Sequence, residues 1–162
     1  MPYFWWFVSG PLDGWIARDV DGDRILLQHG EGGLVGIWTL SSSNTPATWT
    51  QLYPPFPGLI ARALSGDRVL VQFGDSVPYG DLEIGFWTLD SGNRVVDYLQ
   101  YNDVGLTPGW ILRDMTRNYI LLQHGDGGMG GLWKLDAQGN PIAWYQISGP
   151  LPGWILRTIE EQ

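Results

Sequence analysis

The chain has 162 residues, with 17 Asp and Glu against nine Lys and Arg, a formal net charge of −8 and no cysteine. Disulfide and thiolate chemistry are excluded, and so acidic a chain is poorly suited to nucleic acid, whose phosphates are neutralised by Lys and Arg. With 23 Gly and 11 Pro in a 44% hydrophobic sequence, long helices are disfavoured, because Gly costs about 1 kcal/mol and Pro about 3 in a helix interior.

The chain opens on "MPYFWWFVSG". This stretch is apolar but short. It lacks the basic start and small-residue cleavage site of a secretory signal. Nor does any run reach the ~20 apolar residues of a membrane helix. The expectation is therefore a cytoplasmic protein with no membrane partner. A first strand is predicted over residues 3–8. "SGPLDGWIAR" (Ser9 to Arg18) follows, and it returns as "PPFPGLIAR" (Pro54 to Arg62), "GLTPGWILR" (Gly105 to Arg113) and "SGPLPGWILR" (Ser148 to Arg157). A second element, "RILLQHGEGGLVGIW" (Arg24 to Trp38), returns as "RVLVQFGDSVPYGDLEIGFW" (Arg68 to Trp87) and "YILLQHGDGGMGGLW" (Tyr119 to Trp133).

Self-similarity at a period of about 47 residues marks a repeat architecture. Each period reads as four short strands: "GWIAR", "RILLQ", a strand ending in "IWTL" or "LWKLD", and one such as "ATWTQLY". Gly, Asp, Asn and Pro punctuate them, as strand boundaries require. Several strands are apolar without strict alternation, which fits sheets covered on both faces. The predicted fold is all-β: a single domain over 1–162, with units 11–53, 54–102 and 103–148 and split extra strands at 3–8 and 153–159. Four-stranded units of this length describe propeller blades. Three blades do not close a ring, and spare edges invite partner strands, so a homo-oligomer that completes the ring is expected. The alternative is a β-trefoil, which also has three repeats and about twelve strands.

The order "GW–x–x–R … DGD–R–I–L–L … G–G … L–W–T–L–D … G–N" resembles a WD40-type blade, and the Trp-rich repeats are also similar to tachylectin-2-like propellers. Trp38, Trp87 and Trp133 take the Trp position of the third strand. The WD40 Gly-His pair and terminal Trp-Asp are missing. Asp90 and Asp136 instead follow Trp87 and Trp133 by three residues, and Ser41 stands there in the first unit. The resemblance implies a propeller-like architecture.

His29 and His124 are repeat equivalents with Phe73 between them. A position that accepts Phe fits packing better than catalysis or metal binding. Asp19, Asp21 and Asp23 alternate like ligands of a calcium loop, but the Gly and Glu of an EF-hand are absent at the required places, and the other copies lose most of the carboxylates. No G-x-S-x-G elbow is present, so no enzyme, metal or cofactor is expected.

Four arginines, Arg18, Arg62, Arg113 and Arg157, recur at one position. They are read either as bridges between sheets or as contacts to a sugar or anion. Gln28, Gln72 and Gln123 recur as candidates for hydrogen bonds between units. Trp15, Trp110 and Trp154 flank Pro-Gly corners, where a half-exposed ring suits stacking on a sugar; Leu59 replaces them in the second copy. Trp5, Trp49 and Trp144 are assigned to packing between units or at an interface. Arg68 to Trp87 is five residues longer than Arg24 to Trp38, and Tyr79 and Asp81 in this insertion are further ligand candidates.

The functional expectation is a non-enzymatic, lectin-like binding module. Its ligand sites are Trp15, Arg18, Trp110, Arg113, Trp154, Arg157, Tyr79 and Asp81, with carbohydrate as the partner. The alternative is a protein-interaction or assembly scaffold, including a designed or symmetrised repeat with no ligand.

Overall fold

The computed structural model describes residues 12–73, 83–101, 109–125 and 127–159. Among them are twelve strands and no helix, hence none long and apolar enough to cross a membrane. The strands form three four-stranded antiparallel sheets, each built from strands consecutive in sequence. The first holds β1 (Trp15–Asp21), β2 (Arg24–His29), β3 (Val35–Leu40) and β4 (Pro46–Tyr53). The second holds β5 (Leu59–Ser65), β6 (Arg68–Phe73), β7 (Glu83–Leu89) and β8 (Val95–Gln100). The third holds β9 (Trp110–Met115), β10 (Tyr119–His124), β11 (Gly130–Leu135) and β12 (Pro141–Ser148). A trefoil closes one barrel from strands of all three repeats. Here no ladder joins one described sheet to another.

The sheets stack face to face, with their first strands nearest one another: β5 touches both β1 and β9. One apolar layer lies between sheets one and two and includes Leu26, Ile37, Leu59, Val69, Val71 and Trp87. A second lies between sheets two and three and includes Leu70, Ile84, Phe86, Leu112, Ile120 and Trp133. The middle sheet is thus covered on both faces, and every residue of β6 is buried. That is the physical reason "RVLVQF" does not alternate.

Two of the third-strand tryptophans reach back to the sheet before. Trp87 stacks on Tyr53 at 5.0 Å between ring centroids, and Trp133 meets Tyr101 edge-on at 6.0 Å. Both are buried. Trp38 occupies the same place in the first sheet, on a face that no other described sheet covers, and is only partly buried.

The turns between third and fourth strands explain the missing Trp-Asp pair. Asp90 accepts the N–H groups of Gly92 and Arg94, and Asp136 those of Gln138 and Asn140. In the first sheet Ser41 substitutes, its Oγ facing the N–H groups of Ser43 and Thr45. Three residues on, Asn44, Asn93 and Gly139 hold positive φ, the conformation that Asn and Gly tolerate best. These turns also dock backwards: Arg24 reaches Asn93 and the Gly66 carbonyl, and buried Arg68 reaches the carbonyls of Arg117 and Ala137.

Sheet-to-sheet registration near the first strands rests on the recurring glutamines. Gln28 donates from Nε2 to the Leu59 carbonyl at 2.8 Å and accepts at Oε1 from the Ala61 N–H at 3.1 Å. Gln72 does the same to Trp110 and Leu112 at 2.8 and 3.3 Å. Gln123 repeats it with Trp154 and Leu156 at 3.1 and 3.0 Å. The segment 154–159 therefore lies against the third sheet where a fourth sheet's first strand would lie. The sequence predicts a strand over 153–159, but the residues from Trp154 onward belong to no ladder. No described strand runs beside them to supply backbone partners; Gln123 and Asp114 hold them through side chains. The other predicted extra strand, 3–8, lies outside the described residues.

Replacing Gln28 by Leu keeps the volume but orphans the Ala61 N–H and the Arg18 Nε–H, while the Leu59 carbonyl keeps the Gly32 N–H. Each orphaned buried group costs about 1–3 kcal/mol. Urea unfolding of Gln28→Leu is expected to show a loss in that range for each group, while Gln51→Leu, on an exposed site of β4, leaves stability nearly unchanged.

Candidate functional site

The repeated arginine owes its position to the glutamine. Arg18, Arg62 and Arg113 donate from Nε to Oε1 of Gln28, Gln72 and Gln123 at 3.1, 3.0 and 3.2 Å. One oxygen thus accepts from its own sheet's arginine and from the next segment's backbone. With Nε fixed, the guanidinium is aimed. Three such residues from three sheets, together with Arg157, line one cavity of about 360 Å³. Ile16, Ala17, Ala61, Leu112 and Leu156 supply apolar wall, and Asp19 and Asp114 add carboxylates.

The two aspartates follow directly after arginines and serve as ties. Asp19 Oδ2 accepts the Leu64 N–H at 2.7 Å, and Asp114 Oδ2 accepts the Ile159 N–H at 2.9 Å. The second sheet has buried Ala63 at this place. Burial pushes both carboxyls above the usual carboxylate range. At Asp19 the charges of Asp114 and Asp21 add to the effect, against the backbone N–H bonds that oppose it. Among the arginines, burial pushes Arg62 down to about 10, with the charges of Arg18 and Arg113 acting in the same direction and Glu31 against them. Burial also lowers Arg18, again with Glu31 opposing. The Nη2 of Arg18 is buried with no hydrogen-bond partner.

The structure thus brings together Arg18, Arg113 and Arg157 of the sequence-predicted site and adds Arg62, Asp19 and Asp114. It does not bring Trp15 or Trp110 to the cavity lining. Trp15 meets His29 and Trp49 edge-on, both at 5.3 Å. Trp110 meets His124 at 5.3 Å and Trp144 at 5.5 Å in the same way. Trp49 and Trp144, assigned from sequence to packing between units or at an interface, each pack within their own sheet, beside Gly36 and Gly131, where a Cβ would strike the indole. Trp154 has a similar corner but is 67% exposed. Tyr79 and Asp81 lie outside the described residues.

The histidine question resolves through register. Trp15 sits directly opposite His29, Trp110 opposite His124, and Leu59 opposite Phe73. Leu for Trp and Phe for His in the middle repeat are therefore two halves of one contact. The rings lie close over Gly14 and Gly109, whose φ values are 80° and 102°. A Cβ there would fall 2.6 and 2.9 Å from the histidine Nε2. The aspartate run after Arg18 is likewise engaged within the fold. Asp21 accepts from the Gly66 N–H and pairs with Arg24 at 2.8 Å.

No protein-family model matches this chain, and no curated protein matches it.

The Trp–His contact is open to a double-mutant cycle. Trp110→Leu and His124→Phe, each alone, are expected to destabilise. The double variant, which copies the middle repeat, is expected to recover about 0.5–1.5 kcal/mol of coupling. Additive losses in thermal unfolding would mean the two rings do not work as a pair.

Proposed function

We propose that the chain is a non-enzymatic binding module of propeller-like blades and that its ligand site is the cavity where the four arginine-bearing segments meet. One observation supports this reading above the others: equivalent positions of successive units deliver guanidinium donors and carboxylate acceptors, with apolar wall between them, to one concave space. Its volume falls at the low end for small-molecule sites. Carbohydrate is the ligand class we favour. A sugar presents both donors and acceptors around a ring with apolar C–H faces, and Arg, Asp and the aliphatic wall complement all three. Exposed Trp154 stands two residues before Leu156 of the lining.

On this reading the WD40-like and tachylectin-2-like likeness extends to the assembly. Segment 154–159 lies where a fourth blade would begin, and homo-oligomerisation would complete the ring. A specific observation favours a second reading. Tyr145, Ile147, Leu151, Trp154 and Ile155 are all exposed on or after β12, and exposed aromatic and aliphatic groups in one stretch suit a protein-interaction scaffold.

A glycan array probed with labelled protein, followed by titration of any binder against Trp fluorescence, separates the two. The lectin reading expects one glycan class to bind and Arg157→Gln to weaken it by about tenfold, as loss of a charge-assisted hydrogen bond does. Silence across the array with folded protein would favour the scaffold.

A further inference from the structure

The cavity has an electrostatic character opposite to that of the molecule. The chain carries a formal charge of −8, yet four of its nine basic residues line this one space, against two aspartates. Those aspartates do not act as dedicated counter-ions. Each directs a carboxylate oxygen to the backbone N–H of a neighbouring segment. Nor do the glutamines neutralise anything: they accept the Nε protons and leave the terminal nitrogens to be satisfied elsewhere. For Arg18, Nη2 is buried with nothing to donate to. Arg62 is flanked by Arg18 and Arg113 closely enough for their charges to disfavour its own. The single acidic group acting on both Arg18 and Arg62, Glu31, stands on the exposed turn after β2.

Like charges drawn together in a half-buried space repel more strongly than in water. A planar guanidinium is also the side chain best matched to a carboxylate, sulfate or phosphate. Resting on the binding reading above, we infer that the cavity takes an oxyanion and that the preferred saccharide is an acidic one, with its carboxylate or sulfate held by Arg18, Arg62 and Arg113 and its ring against Ile16, Ala61 and Leu112. The neutral hydroxyls then fall to Asp19 and Asp114. The anion relieves the repulsion among the arginines and supplies an acceptor for Arg18 Nη2. Arg157, on the exposed segment, closes the fourth side. A neutral sugar can form the hydroxyl contacts but leaves the arginines facing one another.

The test is calorimetric titration of the whole chain with three probes: D-glucuronate, D-glucose and inorganic sulfate. Glucuronate and glucose differ at one carbon, so their ratio reads the carboxylate. The inference expects glucuronate to bind about tenfold or more tightly than glucose, the value of one well-made charge-assisted contact. That advantage is expected to shrink with added salt, though less than for a surface pair. Arg62→Gln and, separately, Arg157→Gln should each weaken glucuronate binding and narrow its advantage over glucose. Arg157 makes no glutamine tie, so its variant guards against misfolding of the first. Equal binding of the two sugars overturns the inference and leaves the carbohydrate reading standing. Sulfate binding that depends on the arginines, with neither sugar binding, keeps the oxyanion site and overturns the carbohydrate reading. No binding of any probe to folded protein overturns both.

Discussion

A single amide oxygen, repeated three times, sets the geometry on which the rest depends. Oε1 of Gln28, Gln72 and Gln123 accepts from an arginine of its own sheet and from the backbone of the next segment. The amide's other end donates to a carbonyl of that same segment. These glutamines are buried, and a buried amide must be satisfied or it costs free energy. The arrangement that satisfies it here places consecutive sheets in one register. Apolar burial drives the sheets together but is indifferent to small slides. The glutamine is directional, and so it fixes where the first strands meet.

The arginine cavity follows from that constraint. Since Arg18, Arg62 and Arg113 are held at Nε, their guanidiniums converge, although repulsion alone would spread them. The fold can bear the convergence because aspartate ties at Asp19 and Asp114 and the apolar layers on either side of the middle sheet hold the first strands in place. The opposite ends of the sheets are secured differently. There Arg24 and Arg68 satisfy carbonyls of the following sheet, and Arg68 also lies over the Phe86 ring at 4.7 Å. Arginine thus takes two places in one repeat: at the far ends of the sheets it bonds carbonyls of the following sheet, and near the first strands its Nε is held by a glutamine beside a shared cavity.

Much of this was legible in the sequence because repetition separates what a unit needs from what it merely contains. Four strands per unit, the polar turns and the glutamine bridges all recur and all appear in the structure. What escaped depends on register and stacking angle. Leu59 and Phe73 are fourteen positions apart in the chain, and only strand pairing shows that they replace Trp and His as a couple. The reach of Asp19 to Leu64 crosses between sheets and leaves no local signal; adjacent to Arg18, it reads as that arginine's partner. Trp15 and Trp110 read as sugar platforms because a Pro-Gly corner usually exposes its neighbour. Here the opposed histidine and the fourth-strand tryptophan occupy their edges. The segment after Gly153 repeats a strand sequence, but a ladder needs a neighbour as well as a propensity.

The most direct test of this account is nitrogen-15 NMR of the arginine side chains. If the glutamine oxygen organises the cavity, the Nε–H signals of Arg18, Arg62 and Arg113 will be dispersed and slow to exchange with water, and Gln72→Leu will collapse that of Arg62 alone. Rapidly exchanging signals at the positions of a free arginine in the folded protein would contradict it.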